Sequence, residues 1–189
     1  MQLKDKGGVG FQDFRLFNQA LLVRQAWRLI TRPDSLCARL LKSKYYPEGK
    51  LEDTVFIGDA SSSWQAIYHG LDLLKKGLIW RVGNGRSIRV WRDSWISRPF
   101  SYKPISRQGL CRIRYVSNLL NANGSWKIET LNQYFVQADV VGILKIRASP
   151  RRGDDVIAWG PDKLGVFSVK SAYHMAFDEA HRSNATSSS

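Results

Sequence analysis

Residues 78–95 read Leu-Ile-Trp-Arg-Val-Gly-Asn-Gly-Arg-Ser-Ile-Arg-Val-Trp-Arg-Asp-Ser-Trp. Two runs of β-branched and aromatic residues, 78–82 and 87–91, flank the glycine-rich tetrapeptide Gly83-Asn84-Gly85-Arg86. Such runs on either side of an Asn-Gly turn are typical of a β-hairpin. The sequence therefore predicts a β-hairpin in the middle of the chain, and its arginines make that hairpin basic.

Helical patterns precede this hairpin. Apolar residues at helical spacing predict a first helix that begins at Asp13 or Asn18 and ends near Ile30. A second helix follows Pro33, and a third ends at Gly77, a residue type that commonly terminates helices. The apolar stripe of the first helix consists of Leu16, Ala20, Val23, Trp27 and Ile30.

The second half of the chain shows weaker patterns. Residues 128–135 and 138–146 predict two short helices, and residues 171–180 predict a last one. A second hairpin is predicted from Val156–Trp159 and residues 166–169, which flank a turn rich in Gly and Pro.

These elements together predict an α+β fold. It has a helical N-terminal half, a central basic β-hairpin and a small C-terminal helix/hairpin unit. The expected domains are residues 1–104, which hold the helices and the basic hairpin, and residues 105–182. Residues 183–189, which are mainly Ser, Asn and Thr, are expected to form a disordered tail.

The charge of the chain is strongly one-sided. Its 189 residues include 29 Lys and Arg against 16 Asp and Glu, a formal net charge of +13. Residues 1–114 hold 21 of the basic residues and 9 of the acidic ones, so nearly all of the excess lies there. A charge of this size indicates a polyanionic partner, usually nucleic acid. Solubilising surface charge is the alternative, but solubility needs no such imbalance.

Two groups of basic residues are candidates for contact with phosphates. Guanidinium groups bind phosphate through paired hydrogen bonds, and neighbouring indoles can stack on unpaired bases. A basic helical stripe is also typical of a solvated face, and for Trp80 we favour a place in the core. The candidate nucleic-acid-binding residues are Arg24, Arg28, Arg32, Lys42, Lys44, Arg81, Arg86, Arg89 and Arg92.

The sequence predicts no catalytic, cofactor or metal site. Cys37 and Cys111 stand far apart, and the three histidines do not complete the paired spacings of a structural zinc site. Asp154-Asp155 is the only Asp-Asp pair, and two-metal chemistry needs further carboxylates around it. We therefore interpret this pair as a solvated turn before a strand.

Compartment is predicted from what the sequence lacks. No apolar run reaches the ~18 residues of a membrane span, and the N-terminus shows no apolar signal-peptide core. Two isolated cysteines favour a reducing compartment. A nuclear or cytoplasmic protein that does not contact membranes is the resulting expectation.

Several short sequence blocks lie in order along the chain. They include Lys6-Gly7-Gly8-Val9-Gly10-Phe11, Lys42-Ser43-Lys44-Tyr45-Tyr46-Pro47, Ser63-Trp64, Trp80-Arg81-Val82-Gly83-Asn84-Gly85 and Gly165-Val166-Phe167-Ser168-Val169-Lys170. Together these blocks resemble the polymerase polyproteins of plant LINE-type (non-LTR) retrotransposons, over residues 4 to about 176. The region resembled lies between the reverse-transcriptase core and the zinc-binding and RNase H-like domains.

This resemblance implies a non-catalytic, nucleic-acid-binding connecting segment. The family's aromatic-x-Asp-Asp polymerase turn is missing from the sequence, and its zinc-binding region is truncated. By resemblance, the segment would bind RNA or DNA without sequence preference and would hold the neighbouring polymerase and RNase H-like domains of the parent polyprotein. The alternative is a degenerate, truncated retroelement fragment with only a scaffold role or no function.

Overall fold

The computed structural model describes residues 13–54, 60–98, 102–147 and 153–186. It confirms the α+β class, because six helices accompany one two-stranded antiparallel sheet in these residues. Short 3₁₀ turns lie at Leu51–Asp53 and Val116–Leu119. The elements are α1 (Phe14–Thr31), α2 (Leu36–Tyr45), α3 (Ser62–Gly77), β1 (Leu78–Arg81), α4 (Ile128–Tyr134), α5 (Gln137–Leu144), β2 (Val156–Trp159) and α6 (Val169–Thr186).

The chain forms two compact units. Unit 1 combines the residues up to Lys75 with those from Phe167 onward, and unit 2 is Lys76–Val166. These ranges differ from the expected domains 1–104 and 105–182, because unit 2 is inserted between two parts of unit 1. The block at residues 6–11 and residues 187–189 of the predicted tail lie outside the described residues. Residues 183–186, also assigned to that tail, continue α6.

Asp13, one of the two helix starts that the sequence predicts, is the N-cap residue of α1. The Asp13 carboxylate accepts hydrogen bonds from the backbone N–H groups of Arg15 (2.8 Å) and Leu16 (3.3 Å), which satisfies amides at the first turn. The helix ends at Thr31, one residue beyond the predicted end. Its fully buried stripe is Ala20, Val23, Ala26 and Leu29, whereas Leu16, Trp27 and Ile30 of the predicted stripe are only half-buried.

Helix α6 packs against α1 within unit 1. The indole of Trp27 stacks on the ring of Phe167, with 5.6 Å between ring centroids. The Asp13 backbone N–H donates to the Tyr173 hydroxyl (3.3 Å), a contact between residues 160 positions apart. Small buried residues on both helices, Ala20 and Ala176 among them, allow this close approach.

Helices α2 and α3 complete unit 1. The ring of Tyr45 stacks on the buried Trp64 at 4.4 Å between centroids. Gly70 of α3 lies against α1, where a Cβ atom would come within 2.5 Å of the Leu22 carbonyl carbon. This glycine is therefore needed for the contact between the two helices.

The structure of unit 2 shows that both hairpin predictions are wrong. Strand β1 pairs with β2 and not with residues 87–91, in the register Leu78↔Trp159 to Arg81↔Val156. Residues 88–90 bond instead to 114–116, through Val90 N–H to the Arg114 carbonyl (2.9 Å) and Val116 N–H to the Ile88 carbonyl (3.0 Å). The predicted partner of β2, residues 166–169, forms no strand, because α6 begins at Val169.

Aromatic residues contribute to the mainly aliphatic core of unit 2. Trp95 is almost completely buried, and its indole N–H donates to the Val90 carbonyl (2.9 Å). Trp91 stacks on Phe135 at 4.9 Å and donates to the Ile113 carbonyl (2.8 Å). Both side chains are thus structural, and the proposed stacking of these indoles on bases receives no support from their positions.

A buried ion pair and its hydrogen bonds join α5 to Arg98, Ile105 and Ser106, which precede α4 in the chain. The Asp139 side chain is fully buried and accepts hydrogen bonds from the Arg98 guanidinium (2.6 Å), the Ile105 N–H (3.1 Å) and the Ser106 N–H (2.7 Å). Burial raises the pKa of this carboxyl, but hydrogen bonds from Ser106 and Ile105 and the charge of Arg98 outweigh it. The pKa of Asp139 therefore lies below its ordinary value.

Candidate nucleic-acid interface

The glycine loop at residues 83–87 encloses a carboxylate of the protein itself. Asp155 Oδ1 accepts hydrogen bonds from the backbone N–H groups of Gly83 and Gly85, and Oδ2 accepts one from Ser87, each 2.8 Å long. Converging backbone N–H groups are a common way for proteins to bind an anion. Here the anion is Asp155, so this carboxylate is a structural anchor of the loop and not the solvated turn that the sequence predicted.

Both glycines are required by this geometry. Gly85 has φ of +70°, in the left-handed region, and a Cβ atom there would lie 2.5 Å from the Ser117 nitrogen. At Gly83 a Cβ atom would overlap the carbonyl oxygen of Gly153. The loop therefore serves to position Asp155 and the following segment, and a tight hairpin turn is not formed.

Arg81, Arg86, Arg89 and Arg92 all lie in unit 2, in different environments. The Arg89 guanidinium forms a two-pronged ion pair with Asp93, with nitrogen–oxygen distances of 2.9 and 3.2 Å. Arg81, Arg86 and Arg92 are exposed. The structure therefore leaves three of these four guanidinium groups at the surface and engages the fourth with a carboxylate.

Arg24, Arg28, Arg32, Lys42 and Lys44 all lie in unit 1 and are all exposed. Arg24 and Arg28 lie one turn apart on α1, and Arg32 is the residue that ends this helix. The Lys44 ammonium lies 5.2 Å from the centre of the Tyr45 ring, an ordinary cation–π distance. The nine predicted residues thus fall into two sets, one in each unit.

Unit 2 also contains a groove that the sequence did not predict. It has a volume of about 530 Å³ and runs along β1 and the turn at residues 160–165. Four cations, Arg81, Lys145, Arg147 and Lys163, line it together with the indole of Trp80. We call this feature the basic groove. Residues far apart in the sequence form this groove, so no local sequence pattern predicts it.

The acidic group at this groove has its own hydrogen bonds. Asp162 Oδ1 accepts from the backbone N–H groups of Leu164 (2.9 Å) and Val166 (3.1 Å), which closes the turn. The Arg81 guanidinium donates to the Lys163 carbonyl (3.1 Å) and so lies along the same turn. Among the described residues, Asp162 forms no ion pair with a cation of the groove.

The described residues hold neither a metal-binding cluster nor a membrane-spanning helix. Within residues 13–54, 60–98, 102–147 and 153–186, no three His, Cys, Asp or Glu side chains converge as ligands for a metal ion. In that part of the chain, no helix combines the length and apolar character needed to cross a bilayer.

Among known proteins, the chain is similar to two from Arabidopsis thaliana. It is 39% identical to the uncharacterized mitochondrial protein AtMg00310 over 103 residues, which cover 54% of this chain and 67% of that protein. It is 30% identical to the putative ribonuclease H protein At1g65750 over 196 residues, which cover 97% of this chain but 31% of that protein. The chain thus spans about a third of the second relative. No known family profile matches the chain, and no solved structure matches it.

Proposed function

The chain belongs to the family of the uncharacterized mitochondrial protein AtMg00310, and on that premise we propose that it is a nucleic-acid-binding segment of a retroelement protein. The similarity to a ribonuclease H protein over nearly the whole chain supports a retroelement origin. It also agrees with the sequence blocks that resemble LINE-type polyproteins. We propose further that the segment lies between polymerase and RNase H-like domains and performs no bond chemistry of its own.

The observation that carries the proposal is the exposure of its cations. Eight of the nine candidate residues are exposed, and among the described residues none of these eight forms an ion pair with Asp or Glu. Cations that are already paired with carboxylates attract a phosphate backbone only weakly. Here these eight exposed cations are available to a polyanion, in a chain whose formal net charge is +13.

Binding through such residues is mainly electrostatic. Phosphates that are neutralised by Lys and Arg release counterions, so affinity falls steeply with salt and varies little with sequence. Each phosphate contact adds about 0.9 to the salt slope on duplex DNA and about 0.7 on single strands. The salt slope therefore counts the phosphate contacts that the chain makes.

The experiment is a salt titration of binding by the full chain. Fluorescence anisotropy of a labelled, mixed-sequence duplex is recorded at several salt concentrations, for the wild type and for the triple variant Arg24→Gln/Arg28→Gln/Arg32→Gln. A matched control, Arg107→Gln/Arg112→Gln/Lys170→Gln, removes the same charge from exposed positions outside the candidate set. We expect the first variant to lower the salt slope by up to about 2.7 and the control to lower it less.

Two outcomes contradict the proposal. An affinity that stays constant between low and moderate salt removes the electrostatic mechanism. Absence of binding by a folded wild-type chain supports the alternative, a degenerate retroelement fragment with a scaffold role or no function. A nuclear or cytoplasmic location stays a prediction, and fluorescence microscopy of a tagged chain tests it.

A further inference from the structure

We infer that the basic groove of unit 2 is a binding site for unpaired nucleotides, in which the cations hold phosphates and Trp80 contacts a base. This inference rests on the proposed function and adds to it a place on the molecule and a preference for single strands. The groove comprises Arg81, Lys145, Arg147 and Lys163 with Trp80. Lys145 and Arg147 were not among the residues predicted from the sequence.

The charge of the groove favours a ligand with several negative charges. Four cations line one groove of about 530 Å³. Its acidic residue, Asp162, accepts hydrogen bonds through Oδ1 from two backbone N–H groups of its own turn. Among the described residues, Arg81, Lys145, Arg147 and Lys163 form no ion pair with Asp or Glu. Closely spaced cations repel each other, and a phosphodiester chain relieves this repulsion.

Arg81 is held in place before any ligand arrives. One of its N–H groups donates to the Lys163 carbonyl (3.1 Å), which leaves the remaining guanidinium donors for a phosphate. Gly165, with φ of +77°, leaves room for this arrangement, since a Cβ atom there would come within 2.8 Å of the guanidinium. A fixed guanidinium loses less conformational entropy on binding than a free one.

Size and composition favour a single strand over a duplex. The groove falls in the range of about 300–1,000 Å³ that is typical of small-molecule pockets, which suits one nucleotide and is far too small for a double helix. Trp80 is partly buried against the core of unit 2 and also lines the groove, so its position is fixed. Cations beside a fixed aromatic wall are the usual combination in single-strand binding.

The test compares two labelled probes that differ only in pairing, a mixed-sequence 12-nucleotide single strand and its blunt duplex. Binding of the full chain is measured for the wild type and for the variant Lys145→Gln/Arg147→Gln. Both of these residues are exposed, so the fold does not depend on them. The matched control is Arg107→Gln/Arg112→Gln, which removes the same charge from exposed positions outside the groove.

We expect the groove variant to lose at least about tenfold in affinity for the single strand at low salt. Its salt slope should fall by about 1.4, the value for two lost phosphate contacts on a single strand. Its affinity for the duplex should change by less than about threefold, and the control should change little with either probe. The variant Gly165→Ala, which displaces Arg81, should weaken single-strand binding in the same direction.

Three results would overturn the inference in distinguishable ways. Equal losses in the groove variant and the control leave nucleic-acid binding intact but remove the groove from it. Displacement of the single strand by a polyglutamate peptide of equal charge, at equal concentration, would assign the groove to an acidic protein segment instead. Failure of the wild type to bind either probe would refute the proposed function itself, and the inference with it.

Discussion

The Asp155 carboxylate gives the sharpest test of the fold. It accepts three backbone hydrogen bonds of 2.8 Å from the loop at residues 83–87. The substitution Asp155→Ala removes all three acceptors at once and leaves the loop without its anchor. The neighbouring substitution Asp154→Ala is a matched control, because within the part of the chain that the structure describes Asp154 accepts one exposed hydrogen bond, from the Asn84 side chain (3.1 Å).

The loss of stability in Asp155→Ala depends on which N–H donors are left without a hydrogen-bond partner. The residues Gly83 and Gly85 are buried, so their N–H groups cannot turn to water, whereas Ser87 is exposed. Each buried donor left unsatisfied costs about 1–3 kcal/mol. Asp155→Ala should therefore lower the free energy of unfolding by about 2–6 kcal/mol, a large part of the ~5–15 kcal/mol of an ordinary domain. Asp154→Ala should cost less than about 1 kcal/mol.

Urea unfolding monitored by tryptophan fluorescence measures this difference. Five of the seven tryptophans lie within residues 76–166, so the signal reports mainly on unit 2. With a urea dependence of about 2 kcal/mol per molar, the Asp155→Ala midpoint should fall by about 1–3 M. Asp155→Asn keeps one acceptor oxygen, so its urea midpoint should lie between those of Asp155→Ala and Asp154→Ala. If the midpoints of Asp155→Ala and Asp154→Ala differ by less than ~0.3 M, the anchoring argument is wrong.

Two further substitutions test the packing of each unit. Asp139→Asn should destabilise unit 2 by about 3–5 kcal/mol at pH 7, because it leaves the mostly buried Arg98 without its charge partner. Since folding lowers the pKa of Asp139, its stabilisation is complete above pH ~4 and is lost as pH falls through the lowered value. The wild type and Asp139→Asn should therefore converge in acid, and a constant gap down to pH 2 would contradict this. Gly70→Ala should lower thermal stability by about 1–3 kcal/mol, because its Cβ meets the Leu22 backbone of α1, whereas Gly49→Ala, with nothing within 4 Å, should be neutral. Equal melting temperatures for these two variants would refute the close contact of α3 with α1.

Local signals in the sequence predicted the helices well. Asp13 caps α1 as expected, and Gly77 ends α3 as expected. These features depend on residues within a few positions of each other, so a capping side chain or a glycine is sufficient to identify them. The α+β class follows from the same kind of local pattern.

Strand pairing was not accessible to local patterns. The rule that neighbouring strands form a hairpin failed for β1, whose partner lies 75 or more residues away in the register Arg81↔Val156 to Leu78↔Trp159. The reason is Asp155, which directs the glycine loop around its carboxylate and so prevents a two-residue turn. A lone acidic residue on a turn carries no sequence signal for such a role.

The candidate site was predictable only in part. Exposure of Arg24 and Arg28 follows from helical periodicity, which places them away from the buried stripe of α1. The ion pair of Arg89 with Asp93 has the i, i+4 spacing of a local contact, but the segment was interpreted as a strand, where that spacing does not bring side chains together. The position of Lys145 in the groove depends on tertiary structure, and no pattern in the sequence indicates it.

The pairing of the first and last helices has a consequence for synthesis of the protein on the ribosome. About 140 residues separate the end of α1 from the start of α6, which corresponds to roughly 7–28 s of translation at ~5–20 residues per second. During that delay α1 of the nascent chain has no α6 to pack against. The inserted segment 76–166 is synthesised completely before α6. It can therefore fold before α1 and α6 pack together, and α1 is a target for chaperones until α6 has been synthesised.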